Sequence, residues 1–366
     1  MKFFINREQL LNPLQQVHSV IEKKQTIPVL AHVLVTIKDN QLILTGTDLE
    51  IQIVAQLELE DLEPGEITIP ADKFLDIVRL LPNGAKIKIE TQDDKVKISS
   101  GRSRFSLNTL PADIYPEFSA SALNHQIAIR SENLKKALSK TTFCMANQDV
   151  RYYLNGLLVH ISNTHIRLVA SDGHRLAFYD DKLNEPSGLE QKIILPRKGI
   201  LELNRLIGDE ATDMAVEFSS SHIKVLYKNY VYMSKLIDSN YPDFSKVFEQ
   251  SFFEPICLPR KELKDALSRV AILVNEKIKG IYFNISNNLL KLNSNNPEHD
   301  EADEELEIDY SGQDIVITFN VSYVLDAVSN LDSDQIHLII ATNLSTCFFQ
   351  EPDNDLYKFI VMPMRL

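Results

Sequence analysis

The sequence predicts an α+β protein built from three similar domains, each with two helices backed by antiparallel sheet. Three observations predict this class: a threefold internal repeat, helical spacing of apolar residues, and alternating β-branched segments. The 366 residues are 44% hydrophobic and 24% charged, with 11 glycines. This composition is typical of a folded globular protein and excludes disordered and fibrous classes.

The repeat is visible in blocks that recur at nearly constant steps. The block IPADKFLDIVRLLP from Ile69 recurs as LPRKGILELNRLIG from Leu195 and as FNVSYVLDAVSNLD from Phe319, at steps of 126 and 124 residues. LTGTDLE from Leu44 recurs twice at steps of 124. Three units of about 122 residues account for the chain, and each has the size of a common domain rather than of a solenoid repeat.

The domain boundaries follow from two aromatic-proline clusters, YPEF at Tyr115–Phe118 and YPDF at Tyr241–Phe244. The periodicity lapses just after each cluster, near 119–127 and 245–255. We therefore expect domains over residues 1–120, 127–246 and 253–366.

The first element of the repeat is an amphipathic helix. Its apolar residues recur at steps of four and three, which places them on one helix face, and Asn6 with Gln9 can cap its start. The apolar positions are Leu10, Leu14, Val17 and Ile21.

Strands follow the first helix. Period-two segments at His32–Ile37, Gln41–Gly46 and Ile51–Glu60 predict three of them. A second helix is predicted over Ala71–Leu81, and two more strands over KIKIE from Lys86 and KVKIS from Lys95.

Charge is distributed unevenly along the chain. The net charge is −13, which by itself counts against nucleic-acid binding. The six predicted helical segments, however, sum to +8 and the rest of the chain to −21. These segments are 6–25, 71–81, 130–151, 196–208, 259–280 and 320–331. A polyanion could be held against such helices, although surface helices also carry Lys and Arg simply for solubility.

Targeting and redox features point to the cytoplasm. The amino-terminal apolar stretch is too short for a signal peptide, and no apolar run approaches the roughly 18 residues of a membrane span. Cys144, Cys257 and Cys347 have neither metal-ligand nor redox spacing, so we expect free thiols in packing roles.

Enzyme motifs are not found in the sequence. It has no phosphate-binding GxxxxGK[ST], no GxGxxG after a strand, no HExxH and no GxSxG. The closeness of Ser171, Asp172 and His174 favours a turn over a catalytic relay. We expect no catalytic residue, no cofactor and no metal site. The sequence leaves two other functions open. One is a metal-dependent nuclease that uses the eight carboxylates of Glu298–Asp309, and the other is a scaffold that does not bind DNA.

Eight blocks, in this order and spacing, resemble the bacterial sliding clamp family, the β subunit of DNA polymerase III. They are LTGTDLE, GRSRFSLNTLP, QDVRYYLNG, SDGHRLA, PRKG, NNPE, FNVSYVLD and VMPMRL. The resemblance spans the chain and implies a non-catalytic processivity factor with the DNA clamp fold. It further implies a head-to-tail homodimeric ring that encircles duplex DNA without sequence preference. Its protein partners would be the polymerase III catalytic subunit, the clamp loader, and other polymerases and repair proteins that carry short peptide motifs.

The resemblance also implies which residues contact DNA. For two of these residues, Tyr152 and Tyr153, the alternative to a DNA contact is ordinary packing in the core. The family often has Arg where this chain has Lys24 and Asp72, so the first domain would be less positive than usual, with Lys73 able to compensate. The DNA-contact residues would be Lys24, Lys73, Asn147, Gln148, Arg151, Tyr152, Tyr153, Arg197 and Lys198.

A peptide-binding groove between the second and third domains is the second implied site. Met and Leu side chains would adapt to varied partners, and Arg175 and Arg365 would anchor a polar group at the rim. Ser171 and Lys246 stand where the family often has Thr and Arg. The alternative to a binding role for VMPMRL is that it forms a last edge strand packed on the core. The matching residues are Leu154, Ser171, Gly173, His174, Arg175, Leu176, Pro242, Lys246, Val247, Asn320, Tyr323, Leu344, Thr346, Val361, Met362, Pro363, Met364 and Arg365.

Ring closure is the third implied contact. Phe105, Ile272 and Leu273 would supply apolar contacts. Two arginines would face an acidic cluster across the interface, with a solvated acidic loop as the alternative. These charged residues are Arg102, Arg104, Glu298, Asp300, Glu301 and Glu304.

Overall fold

The computed structural model describes residues 1–22, 26–118 and 122–365, and over these ranges it is an α+β structure with antiparallel sheets. Each of three repeats has the same order of elements. The first repeat contains β1 (Lys2–Asn6), α1 (Arg7–His18), β2 (His32–Lys38), β3 (Gln41–Thr47), β4 (Ile51–Glu58), β5 (Gly65–Pro70), α2 (Ala71–Leu80), β6 (Lys86–Gln92), β7 (Lys95–Ser100) and β8 (Ser103–Asn108).

The second and third repeats follow the same plan. The second contains β9 (His125–Arg130), α3 (Ser131–Thr141), β10 (Gly156–Ile161), β11 (His165–Ser171), β12 (Arg175–Lys182), β13 (Gln191–Pro196), α4 (Arg197–Leu206), β14 (Asp213–Phe218), β15 (His222–Tyr227) and β16 (Tyr230–Lys235). The third contains β17 (Ile256–Pro259), α5 (Arg260–Val270), β18 (Gly280–Ser286), β19 (Leu289–Asn295), β20 (Glu301–Glu307), β21 (Ile315–Asn320), α6 (Val321–Ser329), β22 (Gln335–Ile340), β23 (Cys347–Gln350) and β24 (Tyr357–Val361).

Helix α1 begins as the sequence predicts and ends earlier. The backbone N–H of Asn6 donates to Gln9 Oε1 at 3.3 Å, and Leu10, Leu14 and Val17 are buried. The helix ends at His18, so the predicted stripe ran one turn too far when it included Ile21.

Helices α3 and α5 are also shorter than the charged segments suggested. Helix α3 ends at Thr141, whose Oγ1 donates to the Ala137 carbonyl at 2.7 Å, and a single 3-10 turn follows. The charges beyond these ends, including Arg151 and Lys277, therefore lie in loops. The helices as observed carry +5 rather than +8, which is still positive in a chain of net charge −13.

The chain divides into two compact units, the first formed by Met1–Lys135 and Lys198–Asp238. It contains a four-stranded sheet, β1-β6-β7-β8, and an eight-stranded sheet, β5-β2-β3-β4-β16-β15-β14-β9. Strands β4 and β16 join the first and second repeats, with Ile53 opposite Tyr232. Both of these side chains are fully buried in the core of the unit.

The second compact unit is formed by Lys136–Arg197 and Ser239–Leu366. Its eight-stranded sheet has the order β13-β10-β11-β12-β24-β23-β22-β17, and its four-stranded sheet the order β20-β19-β18-β21. Strands β12 and β24 join the second and third repeats, with Ala177 opposite Phe359. The sheets thus differ from the single sheet per domain that the sequence predicts, because each repeat divides its strands between two sheets and shares one with its neighbour.

The junctions follow one rule. Strands β4, β12 and β20 are equivalent in the three repeats, and so are the final strands β8, β16 and β24. Strand β4 pairs with β16, and β12 pairs with β24. The remaining two, β8 and β20, each stand at the edge of a four-stranded sheet.

No helix in the described ranges is long and apolar enough to cross a membrane. The three cysteines are free thiols, as the sequence predicts. Cys144 and Cys347 are buried, whereas Cys257 is only half-buried because it lies on the edge strand β17.

Candidate protein-binding and DNA-binding sites

The carboxy-terminal segment after β24 borders an open cavity of about 580 Å³ in the second unit, hereafter the carboxy-terminal cavity. Two backbone hydrogen bonds fix the segment: Met362 N–H donates to the His174 carbonyl at 2.9 Å, and Met364 N–H to the Thr318 carbonyl at 2.8 Å. The cavity is lined by His174, Lys277, Ile278, Asn320, Tyr323, Met362, Pro363, Met364 and Arg365.

The walls of the carboxy-terminal cavity combine aromatic and thioether groups. The His174 and Tyr323 rings stack with centroids 6.4 Å apart and an interplanar angle of 20°. Asn320 Oδ1 accepts from the Ser322 N–H at 3.0 Å and so caps α6, which carries Tyr323. The Met362 side chain is 39% exposed. Such a surface suits an apolar side chain from a partner.

Arg175 has a different role from the rim anchor that the sequence predicts. Its guanidinium binds Asp172 Oδ2 at 3.0 Å and Asp326 Oδ2 at 2.5 Å, and donates to the Phe143 carbonyl at 2.9 Å. It also lies over the Tyr323 ring, 4.5 Å from the centroid. Although burial opposes the charged form, these carboxylates raise the pKa of Arg175. Arg175 therefore orients Tyr323 instead of offering an unoccupied cation, while Arg365 is exposed.

The segment Ser171–Arg175 forms a turn, as predicted. Asp172 Oδ1 accepts from the backbone N–H groups of His174 and Arg175 at 3.0 and 3.1 Å. Gly173 has φ +90°, and a Cβ there would lie 2.8 Å from the Arg151 guanidinium. The positive φ therefore favours glycine here, whereas the Arg151 guanidinium, at the end of a flexible side chain, could move aside for a Cβ.

The other predicted groove residues are not among those that line the carboxy-terminal cavity, and they differ in exposure. Leu154, Leu176, Thr346 and Val361 are buried. Pro242 and Leu344 are exposed in loops, and Lys246 is exposed in the 3-10 turn Ser245–Val247, whose last residue is half-buried. Sequence reasoning missed Lys277 and Ile278, which line the cavity, and Asp326 and Phe143, which hold Arg175. An apolar Ile278 within the polar run NEKIKG was the one available signal.

All but one of the predicted DNA contacts of the second unit lie on one loop, Asn147–Tyr153, hereafter the 147–153 loop; the exception is Arg197 on α4. Asp149 binds Arg151 through both oxygens, at 3.0 and 2.8 Å. These hydrogen bonds lower the pKa of Asp149 to about 2. Gln148 has φ +58° at the bend of the loop.

The two tyrosines of this loop differ. Tyr152 is 64% exposed, whereas Tyr153 is half-buried and packs edge-on against Tyr241 at 6.3 Å. Arg197 lies beside the loop, since its guanidinium donates to the Met145 carbonyl at 3.0 Å.

The remaining predicted DNA residues lie in or near the first unit. Lys73 is exposed on α2. Lys198 binds two carboxylates, Glu22 Oε1 at 2.5 Å and Asp48 Oδ2. Burial opposes the charged form, yet these two partners raise the pKa of Lys198. Lys24 lies outside the described residues.

The predicted interface residues lie at the unpaired edges of the four-stranded sheets and on one exposed turn. Arg102 and Arg104 are exposed beside and on β8, and Phe105 is half-buried. In the second unit, Ile272 is 77% exposed, next to the half-buried Leu273. Glu298, Asp300 and Glu301 are exposed at the start of β20.

Glu304 is already bound within the chain. Arg269 of α5 contacts its two carboxylate oxygens at 2.6 and 2.9 Å and lowers the pKa of Glu304. Other acids of the run lie near Lys291, with Asp303 Oδ1 at 3.6 Å. In the described part of the chain, no three His, Cys, Asp or Glu side chains are grouped so that they could hold a metal ion.

Comparison with known proteins decides the family. Family models for the DNA polymerase III beta subunit match residues 1–119 (N-terminal domain), 128–243 (central domain) and 246–365 (C-terminal domain). The chain belongs to the DNA polymerase III β-subunit family. The beta sliding clamps of Pseudomonas aeruginosa and Escherichia coli (strain K12) are 43% and 39% identical to it, each over 100% of both chains.

Solved structures agree. The DNA polymerase III subunit beta of P. aeruginosa bound to griselimycin has a TM-score of 0.97 at 43% identity, with 100% of both chains covered. The Caulobacter crescentus pol III beta has a TM-score of 0.94 at 32% identity, again over 100% of both chains. The chain is therefore a non-catalytic DNA sliding clamp that confers processivity on DNA polymerase.

Proposed function

We propose that the carboxy-terminal cavity is where polymerases and the clamp loader bind through short peptide motifs. The observation that carries this proposal is a cavity of about 580 Å³ with stacked rings and methionines in its wall and a backbone fixed on both sides. Its volume falls within the roughly 300–1,000 Å³ of ligand pockets. Methionines adapt to different apolar side chains, which suits a site shared by several partners.

The 147–153 loop and Lys73 contact the DNA. Lys73 supplies an exposed positive charge, and Tyr152 supplies an exposed aromatic face on which a base can stack. Arg151 and Lys198 are bound to carboxylates, so they contribute less than their charge suggests. Asn147 and Gln148 are exposed amides that can bind phosphate.

The ring closes by pairing β8 of one copy with β20 of the other. Within the chain, the final strands β16 and β24 already pair with the strand equivalent to β20 in the repeat before them. The two unpaired members of this series carry opposite charge, because β8 has Arg104 and follows Arg102 whereas β20 has five acids. The pairing is head-to-tail, and two copies close it.

The three domains extend over residues 1–120, 127–246 and 253–366, and the protein acts in the cytoplasm. The repetition of the same eight strands and two helices supports three domains of this size, and β9 begins at His125, two residues before the second range.

Peptide binding tests the carboxy-terminal cavity. We expect the double substitution Met362→Ala and Met364→Ala to weaken binding of a labelled polymerase clamp-binding peptide at least roughly tenfold, because it removes two walls of the cavity. The measurement is fluorescence anisotropy on the full chain. Val316→Ala, an exposed valine on β21 outside the cavity, is the matched control.

Sedimentation of the same variants accompanies this assay. The dimer should be unchanged in both. Unchanged peptide affinity in the double variant, or loss of dimer and peptide binding together, would contradict the assignment of the cavity.

A further inference from the structure

The first unit contains a second cavity, of about 740 Å³, that no role above uses. Strand β1 forms one side through Phe4 and Asn6, and the segment after β4, Glu58–Asp61, forms the other. The turn between β2 and β3, Asp39–Gln41, borders it as well. We name it the β1 cleft.

The side of the β1 cleft formed by β1 is a free strand edge. Strand β1 is the outermost strand of its sheet: β6 is its one partner strand, and on its other side it makes a single bridge, between Lys2 and Glu63. The carbonyl of Met1 accepts from Thr91 of β6, whereas that of Lys2 accepts from Glu63 on the opposite side. Because successive residues of a strand direct their backbone groups to alternate sides, the N–H and C=O of Phe4 point away from β6.

This backbone edge is open at Phe4. Beyond Lys2, the chain segment ending at Asp61 separates from β1, and the cleft lies between them. Among the described residues, no hydrogen bond to the outward N–H or C=O of Phe4 is formed. An extended chain placed here would gain two backbone hydrogen bonds at this residue.

The charge around the β1 cleft is strongly acidic. Asp39, Glu58, Glu60 and Asp61 border it and are exposed, against Lys86 in the lining and Lys2 beside Phe4, and Lys2 is itself paired with Glu63 at 3.5 Å. A basic segment would therefore be attracted and an acidic one repelled.

An apolar surface lies beside the free edge. The Phe4 side chain is 40% exposed, with the ammonium groups of Lys86 and Lys2 at 5.4 and 6.0 Å from its ring centroid. Alternate side chains of an added strand would face this ring, which selects an apolar residue between two basic ones.

We propose that the β1 cleft binds an extended basic segment of a partner protein, which adds to β1 as a further strand. Backbone pairing at Phe4 gives affinity, the acids give selectivity for Lys and Arg, and the Phe4 ring selects an apolar residue between them. This site is separate from the carboxy-terminal cavity, because all of its residues lie in the first unit. The clamp would thus hold partners at two chemically different sites.

A short synthetic peptide tests the proposal on the full-length dimer. The probe is labelled Lys-Val-Lys-Val-Lys, measured by fluorescence anisotropy at low salt. We expect saturable binding, at least roughly tenfold weaker in the double variant Glu60→Lys and Asp61→Lys. The matched control, Asp113→Lys with Glu117→Lys, reverses two exposed acids of the same unit outside the cleft and should bind normally.

Two further probes separate strand addition from charge attraction. A peptide N-methylated at both valines lacks their backbone donors and should bind at least roughly tenfold more weakly, and Glu-Val-Glu-Val-Glu should not bind. The variant Met362→Ala with Met364→Ala should bind the basic peptide normally. The proposal is overturned by absence of binding, by equal binding to the Glu60 and Asp61 variant, by equal binding of the N-methylated peptide, or by loss of binding in the Met362 and Met364 variant.

Discussion

At the scale of single residues, the structure separates side chains that the sequence groups together. Arg175 is held by Asp172 and Asp326, and it stacks on Tyr323. Asp326 lies 151 positions away in sequence, so no local pattern could predict this partner. The turn at Asp172 was predictable, because it depends on neighbouring residues alone.

The tyrosine pair shows the same limit. The two tyrosines are adjacent in sequence and have identical side chains, but Tyr152 is exposed while Tyr153 packs on Tyr241. Tyr241 lies in a distant loop, and only the fold decides which tyrosine faces solvent.

The contribution of Lys73 and Tyr152 to DNA binding can be separated by a salt titration. Lys73→Glu should weaken binding to a primed duplex and reduce the slope of log affinity against log salt by about one or more, because a phosphate contact is lost. Tyr152→Ala should weaken binding by about 1–3 kcal/mol with the slope unchanged, because stacking releases no counterion. Fluorescence anisotropy at several salt concentrations measures both.

Lys95→Glu is the control for this titration. Lys95 is exposed at the start of β7, outside the proposed DNA contacts. An unchanged slope for Lys73→Glu, or a slope change as large for Lys95→Glu, would contradict the assignment of Lys73.

At the scale of elements, the alternating pattern predicted the strands β2, β3, β4, β6 and β7 within a few residues. Helix starts were predicted well because caps and apolar spacing are local. Helix ends were predicted poorly. Helices α3 and α5 end where the packing of the following loops stops them, and this packing is not visible in the local sequence. The pairing of β4 with β16 and of β12 with β24 joins different repeats, so it could not be read from periodicity.

The edge strands β8 and β20 lead to a prediction about the stability of the dimer. Arg102→Glu with Arg104→Glu should weaken the dimer at least roughly tenfold, because like charges would then face each other at both interfaces. Glu298→Arg with Glu301→Arg should do the same. A mixture of the two variants should dimerise, because each interface then regains opposite charges. Sedimentation velocity at several concentrations and salts measures this.

Lys95→Glu with Lys97→Glu on the neighbouring strand β7 is the matched control and should leave the dimer unchanged. Failure of the mixture to recover, with each variant folded, would show that these charges do not face each other across the interface.

At the scale of the whole molecule, basic helices lie in an acidic chain. The helices carry +5 within a chain of net charge −13. Part of that positive charge is neutralised locally, since Lys198 binds Glu22 and Asp48. Affinity for DNA need not be high, because a closed ring is held by topology rather than by many phosphate contacts.

The threefold repeat gave the most complete prediction. It divided the chain into equivalent parts before any pairing was known, and the same equivalence leaves β8 and β20 as the two strands of the junction series that have no partner strand there. Closure by a second copy follows from the pairing rule that the two internal junctions obey.

Retention on DNA tests this closure most directly. Labelled protein is placed on circular duplex DNA, unbound protein is removed by gel filtration in high salt, and half of the sample is linearised with a restriction enzyme. The protein should stay on the circles, leave the linear molecules, and remain on linear molecules whose ends are blocked by bound protein. Equal loss from circles and linear DNA, or equal retention on both with free ends, would contradict a closed ring that slides.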